Sequence, residues 1–161
     1  MPDTKANLLV VDDEPSNRMS LASLLREIGY RARTAEDGLS ALIEIGAEVP
    51  DILLSDLHMP GMSGFELLAV VRREFPALRT IAMSGAFCGD EVPSGVAADA
   101  FYQKGSDLGR LLRMIETLPH RERMAIDFAT VLPADQHLSA PIQSGPGGAS
   151  AAPGAMQLNS C

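Results

Sequence analysis

The chain has 161 residues, 46% of them apolar, which suits one compact domain with an appendage. A net charge of −8 disfavours nucleic acid as a direct partner, because phosphate binding draws mainly on clustered lysines and arginines. No apolar stretch approaches the roughly 18 residues of a membrane span, and the N-terminus lacks the apolar run of a signal peptide. We therefore expect a cytoplasmic protein without a membrane partner.

Short apolar runs alternate with helical periodicity from Asn7 onward, which predicts repeated βα units on a parallel sheet. The first run, LLVV at 8–11, is continuously apolar, as is typical of a central strand buried on both faces. A helix is predicted from Pro15 to a glycine stop at Gly29. Residues 30–34 form a weaker strand with interleaved arginines, which indicates an edge strand.

The middle of the chain continues this alternation and contains a clear helix start. A second helix is predicted at 36–46, and the third strand, ILLS at 52–55, leads directly into Asp56. Ser63 and Glu66 are three residues apart and match a capping box, so the third helix is predicted to begin there.

The fourth and fifth strands are separated by a segment that resists helix formation. RTIAMS at 79–84 is the fourth strand, and the segment after it is interrupted by Pro93 and Gly95. We expect only a short or distorted fourth helix there. A fifth strand at 101–103 and a periodic helix at 106–118 complete a doubly wound α/β sheet.

The last part of the chain differs in composition from the rest. Residues 1–120 contain the periodic segments, whereas 121–161 are increasingly rich in alanine, glycine, proline and serine. Such a composition buries too little apolar surface to become ordered. We predict a mostly disordered tail at 121–161 and no DNA-binding output domain.

Charged and polar side chains follow the predicted strands, at the edge where functional groups gather in parallel sheets. They are Asp12, Asp13, Asp56, Ser84 and Lys104. The three carboxylates would repel one another unless a cation enters, and Mg²⁺ prefers carboxylate oxygens. With Mg²⁺ and the lysine the site is formally neutral and suited to receiving a phosphoryl group.

Roles for three of these residues follow from their chemistry. An aspartate carboxylate can act as a nucleophile that forms an acyl phosphate, and Asp56 stands alone after the middle strand. Ser84 could donate a hydrogen bond to a phosphoryl oxygen, and Lys104 could contact the same group as a point charge.

Four motifs in this order resemble the receiver domain of two-component response regulators: VVDDE, SDLHMPGMSG, MSG and YQKG, within residues 7 to about 120. The resemblance implies a flavodoxin-like fold with strand order 2-1-3-4-5. It also implies that Asp56 accepts a phosphoryl group from a histidine kinase or histidine phosphotransfer protein. Mg²⁺ would be held by Asp12, Asp13, Asp56 and the backbone carbonyl of His58.

The resemblance further implies a switch pair, Ser84 and Phe101, which responds to the phosphoryl group. Such a protein assists its own phosphorylation and dephosphorylation and is not a turnover enzyme. We expect a stand-alone regulator, a monomer or weak dimer, that signals to an unknown downstream protein. The chain departs from the family at Gly105, where proline is usual, so the loop after Lys104 is predicted to run trans or to be looser.

Several alternatives remain open at this stage. A receiver-like scaffold that never carries phosphate fits the departures at Gly105 and the fourth helix. An aspartyl-phosphate phosphohydrolase would place two acids two residues apart, which Asp12 and Glu14 match loosely. A flavin-binding electron carrier would need a phosphate-binding loop after the first strand, where this chain is acidic. Phe101 could equally be a plain core residue.

Overall fold

A computed structural model describes residues 5–89 and 91–118, which form a parallel five-stranded sheet with helices on both faces. The strand order is β2-β1-β3-β4-β5, which confirms the predicted flavodoxin-like topology. The elements are β1 Lys5–Val11, α1 Pro15–Glu27, β2 Tyr30–Ala35, α2 Gly38–Ala47, β3 Ile52–Asp56, α3 Gly64–Glu74, β4 Arg79–Ser84, β5 Ala100–Gln103 and α4 Leu108–Thr117.

The burial of each strand follows its position in the sheet. Every residue of β3 is buried, as are 8–11 of β1, in agreement with their continuous apolar sequence. In the edge strand β2, Tyr30 and Ala32 point inward and Arg31 is exposed. The predicted central and edge strands are therefore confirmed.

Two hydrophobic cores lie on opposite faces of the sheet, because side chains alternate along each strand. Leu9 and Leu53 face the core that α2 and α3 cover, whereas Leu8 and Leu54 face the core that α1 and α4 cover. The sheet is thus enclosed between two pairs of helices, and its carboxyl-end edge stays accessible for function.

Side chains at helix starts set the boundaries. In α3 the backbone N–H of Glu66 donates to Ser63 Oγ at 3.3 Å, and Glu66 Oε2 accepts from the Ser63 N–H at 2.8 Å. The predicted capping box is therefore present. In α2 the helix begins at Gly38, two residues later than expected, because Asp37 Oδ1 accepts from the Ser40 N–H at 2.7 Å.

The expectation of a short or distorted helix between β4 and β5 is wrong for the described residues 85–89 and 91–99, which contain no helix. Gly89 and Gly95 have φ values of +97° and +82°, and Pro93 lacks an N–H to donate. The segment crosses as irregular chain and buries apolar side chains against the core. These side chains are Phe87, Val92, Val96 and Ala98.

No helix within 5–89 and 91–118 is long and apolar enough to cross a membrane. The predicted tail, 121–161, lies outside the described residues.

Candidate functional site

Three carboxylates meet at the carboxyl-end edge of the sheet. Asp12 and Asp13 follow β1, Asp56 ends β3, and one oxygen of each lies within 4.8 Å of the others. Asp12 and Asp56 are 2% and 6% exposed, whereas Asp13 is open to solvent. Buried carboxylates this close together repel strongly unless cations compensate them.

Lys104 provides one compensating cation from the loop after β5. Its Nζ lies 2.7 Å from Asp12 Oδ2 and 2.9 Å from Asp56 Oδ2. Burial lowers the pKa of Lys104, but its hydrogen bonds to Asp12 and Asp56 outweigh burial, so the pKa is raised overall. The lysine therefore stays charged and links the ends of β1 and β3.

The backbone around Lys104 turns sharply without a cis peptide bond. Within the described part of the chain all peptide bonds are trans, including the bond from Lys104 to Gly105. Gly105 has φ +86°, and the Ser106 N–H donates to the Gln103 carbonyl at 3.1 Å, as in a type II turn. Of the two alternatives expected at Gly105, a trans bond or a looser loop, the structure has the trans bond, and the Lys104 N–H still donates to the Ser84 carbonyl at 3.0 Å.

Backbone N–H groups hold the second oxygens of the two buried carboxylates. Asp12 Oδ1 accepts from the Glu14 N–H at 2.9 Å, and Asp56 Oδ1 accepts from the His58 N–H at 3.2 Å. Each carboxylate is thus oriented by its own loop and by Lys104. The Glu14 side chain is exposed, and its backbone, rather than its carboxylate, contacts Asp12.

The position eight residues after Asp56 has no room for a side chain, which explains why it is a glycine, Gly64. A Cβ at Gly64 would lie 2.0 Å from the Asp56 carbonyl oxygen and 2.7 Å from Leu57 Cα, far inside van der Waals contact. The Gly64 N–H also donates to the Leu57 carbonyl at 3.0 Å. The start of α3 therefore packs directly on the backbone that carries the phosphoacceptor candidate.

Ser84 and His58 lie beside the carboxylates and contact each other. Ser84 Oγ shares a hydrogen bond of 3.2 Å with His58 Nδ1 and accepts from the Ala86 N–H at 3.0 Å. Ser84 is 1% exposed, whereas His58 is open to solvent. The His58 imidazole does not belong to the carboxylate cluster, and the metal contact of its backbone carbonyl stays a prediction.

An aromatic residue that the sequence analysis missed connects His58 with Phe101. The Phe87 ring stacks on the His58 ring at 5.9 Å and 25°, and meets the Phe101 ring edge-to-face at 6.2 Å and 87°. Phe101 itself is fully buried. The only sequence signal for Phe87 is an aromatic residue three positions after Ser84, in a segment with no periodic pattern.

The donor set fits a hard divalent cation such as Mg²⁺. All three side chains offer carboxylate oxygens, which magnesium prefers, and the cluster keeps a formal charge of −2 after Lys104 is included. Asp13 has no hydrogen bond or ion pair with another residue of 5–89 and 91–118, so its carboxylate is available to a metal. Asp12, Asp13 and Asp56 are the residues that would hold the ion.

Comparisons with known proteins find relatives among regulatory proteins. A 33% identical relative, the DNA-binding transcriptional regulator NtrC of Proteus hauseri, matches 70% of this chain and 24% of its own length. The nitrogen assimilation regulatory protein NtrX of Azorhizobium caulinodans is 40% identical over 81 residues, which are 49% of this chain and 18% of that protein. The chain thus spans less than a quarter of the length of these curated relatives.

Solved structures show the same fold. The response regulator protein TrrA of Thermotoga maritima, in complex with Mg(2+)-BeF, has a TM-score of 0.63 and 32% identity, covering 68% of this chain and 96% of that one. The chemotaxis protein CheY4 of Vibrio cholerae has a TM-score of 0.61 and 28% identity, with coverage of 69% and 96%. The family model of the response regulator receiver domain matches residues 8–116, more than half of the sequence, and the chain therefore belongs to the response regulator receiver domain family.

Proposed function

We propose that this chain is a phosphoacceptor that takes a phosphoryl group on Asp56 from a histidine kinase or a histidine phosphotransfer protein, in a Mg²⁺-dependent reaction. The observation that carries the proposal is the bridge from Lys104 Nζ to Asp12 and Asp56 beside the exposed carboxylate of Asp13. A cation and three acids at one sheet edge are the parts that phosphoryl transfer to a carboxylate requires.

The bonds that form and break in the transfer step belong to the donor and to Asp56 alone. A carboxylate oxygen of Asp56 forms a bond to phosphorus while the P–N bond of the donor's phosphohistidine breaks. The electron pair of that bond stays on the imidazole nitrogen, and a proton on the other ring nitrogen lets the imidazole leave neutral. The product is an acyl phosphate on Asp56.

Two side chains contact the transferred group in this proposal. The Lys104 ammonium contacts a phosphoryl oxygen in place of part of its contact with Asp56. It is within reach of that group because its Nζ already lies 2.9 Å from Asp56 Oδ2. The Ser84 hydroxyl donates to another phosphoryl oxygen, as its place at the end of β4 allows. Mg²⁺, when bound, would offset the negative charge on the phosphoryl oxygens.

Loss of the phosphoryl group regenerates the carboxylate. A water oxygen bonds to phosphorus, the bond between phosphorus and the Asp56 oxygen breaks, and inorganic phosphate leaves. The same residues assist both reactions, so the protein promotes its own phosphorylation and its own dephosphorylation. Steady turnover of small phosphate esters is not expected, because the Glu14 carboxylate is exposed and does not contact Asp12.

The output in this proposal is a change in affinity for a downstream protein. A phosphoryl group adds nearly two negative charges at the sheet edge and can bias a surface that has two arrangements. We propose that the chain acts in the cytoplasm as a monomer or weak dimer. The family assignment removes the support for the flavin-binding alternative.

A second candidate, a receiver-like scaffold without phosphate, rests on the β4–β5 segment that contains no helix among its described residues. That difference lies outside the contacts of Lys104 with Asp12 and Asp56, so we favour the phosphoacceptor.

Transfer from a phosphohistidine donor tests the proposal. Phosphotransfer proteins carrying phosphohistidine are mixed with wild type, Asp56→Asn and Asp107→Asn, and products are resolved on gels that retard phosphoproteins. Asp107 is exposed at the start of α4 and serves as a matched aspartate control. We expect labelling of wild type and Asp107→Asn only. Equal labelling of Asp56→Asn would refute the assignment.

A further inference from the structure

Phe87 lies between His58, which is exposed at the site, and Phe101, the buried member of the expected switch pair. Its ring is half-buried, stacks on the exposed His58 and meets the fully buried Phe101 edge-to-face. Centroid distances of 5.9 Å and 6.2 Å lie within the range of favourable aromatic pairs. One ring therefore contacts both ends of a path from the site surface to the core.

The path begins at the hydrogen bond between Ser84 and His58. Ser84 Oγ shares a 3.2 Å hydrogen bond with His58 Nδ1 in this structure. In the His58 tautomer whose Nδ1 accepts this bond, a Ser84 hydroxyl that donates to a phosphoryl oxygen on Asp56 no longer donates to His58. The imidazole then loses this polar contact and keeps its aromatic contacts with Phe87 and Phe65.

We propose that Phe87 is a positioning residue that transmits the release of His58 by Ser84 to Phe101, so that the phosphoacceptor and the core respond together. This inference rests on the proposed function, because it needs a phosphoryl group on Asp56 to draw Ser84 away. Phe87 touches neither the phosphoryl group nor the carboxylates in this role. It acts through His58 at one end and through Phe101 at the other.

Phe65 provides a matched control on the other side of His58. Its ring meets the His58 ring edge-to-face at 6.0 Å and 82°, and it belongs to α3. No aromatic contact links Phe65 with Phe101 among the ring pairs of the described residues. Replacing Phe65 therefore disturbs His58 but leaves the path through Phe87 intact.

The test records both ends of the path by NMR on the full chain. Nitrogen signals of the His58 ring report the near end, and ring signals of Phe101 report the far end, before and after Mg²⁺ and beryllofluoride are added. In wild type, Phe65→Leu and the conservative Phe87→Tyr, we expect both ends to change. In Phe87→Leu we expect the His58 change to remain and the Phe101 change to fall by more than half.

Two results overturn the inference. One is a Phe101 response in Phe87→Leu equal to wild type, and the other is a wild-type response confined to His58. If Phe87→Leu is unfolded by circular dichroism, Phe87→Met is measured by the same criterion. Failure of the proposed function is recognised separately, because wild type would then show no labelling of Asp56 by acetyl phosphate.

Discussion

Replacing Gly64 with alanine places a methyl group against the backbone of Asp56, the proposed phosphoacceptor. The added Cβ would lie 2.0 Å from the Asp56 carbonyl oxygen and 2.7 Å from Leu57 Cα. Both neighbours are backbone atoms of a buried segment, so neither can rotate aside as a flexible side chain would. The start of α3 or the end of β3 must move instead.

The expected stability change is the difference between two effects. Alanine gains at most about 1 kcal/mol over glycine as a helix former, whereas overpacking against a rigid neighbour loses about 1–3 kcal/mol and sometimes more. A contact of 2.0 Å belongs at the severe end of that range. We predict that Gly64→Ala lowers the free energy of unfolding by about 2 kcal/mol, or the melting temperature by about 10 °C.

Gly46→Ala is the matched control. Gly46 lies in α2, and a Cβ there meets nothing within 4 Å, so only the helix preference acts. We expect this variant to gain about 0.5–1 kcal/mol. Urea unfolding of both variants and wild type separates the close approach at Gly64 from any general effect of a glycine replacement.

The same variant tests the position of Asp56. A displacement of about 1 Å at a reacting group can slow a reaction about 10²-fold, so we expect labelling of folded Gly64→Ala by acetyl phosphate to slow at least about tenfold. Wild-type stability together with wild-type labelling would show that a methyl group at Gly64 displaces neither α3 nor Asp56. Equal losses in Gly46→Ala would show that the effect is not specific to Gly64.

Further predictions concern the cations, the metal and the helix cap. Lys104→Met leaves Asp12 and Asp56 unpaired, and because the lysine is 25% exposed we expect a loss of about 1–3 kcal/mol in urea unfolding, partly recovered by Mg²⁺. The pKa of Lys104 is raised in the folded protein, so its contribution is fully present below the unfolded pKa, about 10.4, and is lost as pH rises through the folded pKa. The stability difference between wild type and Lys104→Met should therefore stay constant from neutral pH to about pH 9.5 and shrink only above it; a decline near neutral pH would contradict this. Asp13→Asn should weaken Mg²⁺ binding about tenfold or more by calorimetry with little change in stability, because Asp13 is exposed. Ser63→Ala removes the cap of α3 and should lose about 1 kcal/mol, and an unchanged unfolding midpoint would refute the capping box.

The fold was predictable because its central elements carry strong local patterns. The apolar runs at 8–11 and 52–55 are long enough to indicate strands buried on both faces, and the Ser63 and Glu66 pair marks one helix start. The residues that these strands carry to one edge followed from parallel topology alone. Their proximity is now visible in the ion pairs of Lys104, whereas their chemical roles remain proposals.

Features that depend on tertiary contact were not predictable. Pro93 and Gly95 indicated that a helix between β4 and β5 would be weak, but only packing against the core decides whether any helix survives. Phe87 carries no periodic signal, because its partners come from the loop after β3 and from β5. The close approach at Gly64 likewise depends on where α3 meets the end of β3.

Phosphorylation of Asp56 with the help of Mg²⁺ is the proposal on which the other predictions depend. It is tested by intact-mass spectrometry after incubation with acetyl phosphate, with Mg²⁺ or with chelator, on wild type and Asp56→Asn. We predict a single-phosphate mass increase for wild type in Mg²⁺, and none with chelator or in Asp56→Asn. The same increase in Asp56→Asn would show that another residue is labelled, and an increase without Mg²⁺ would show that the metal is not required.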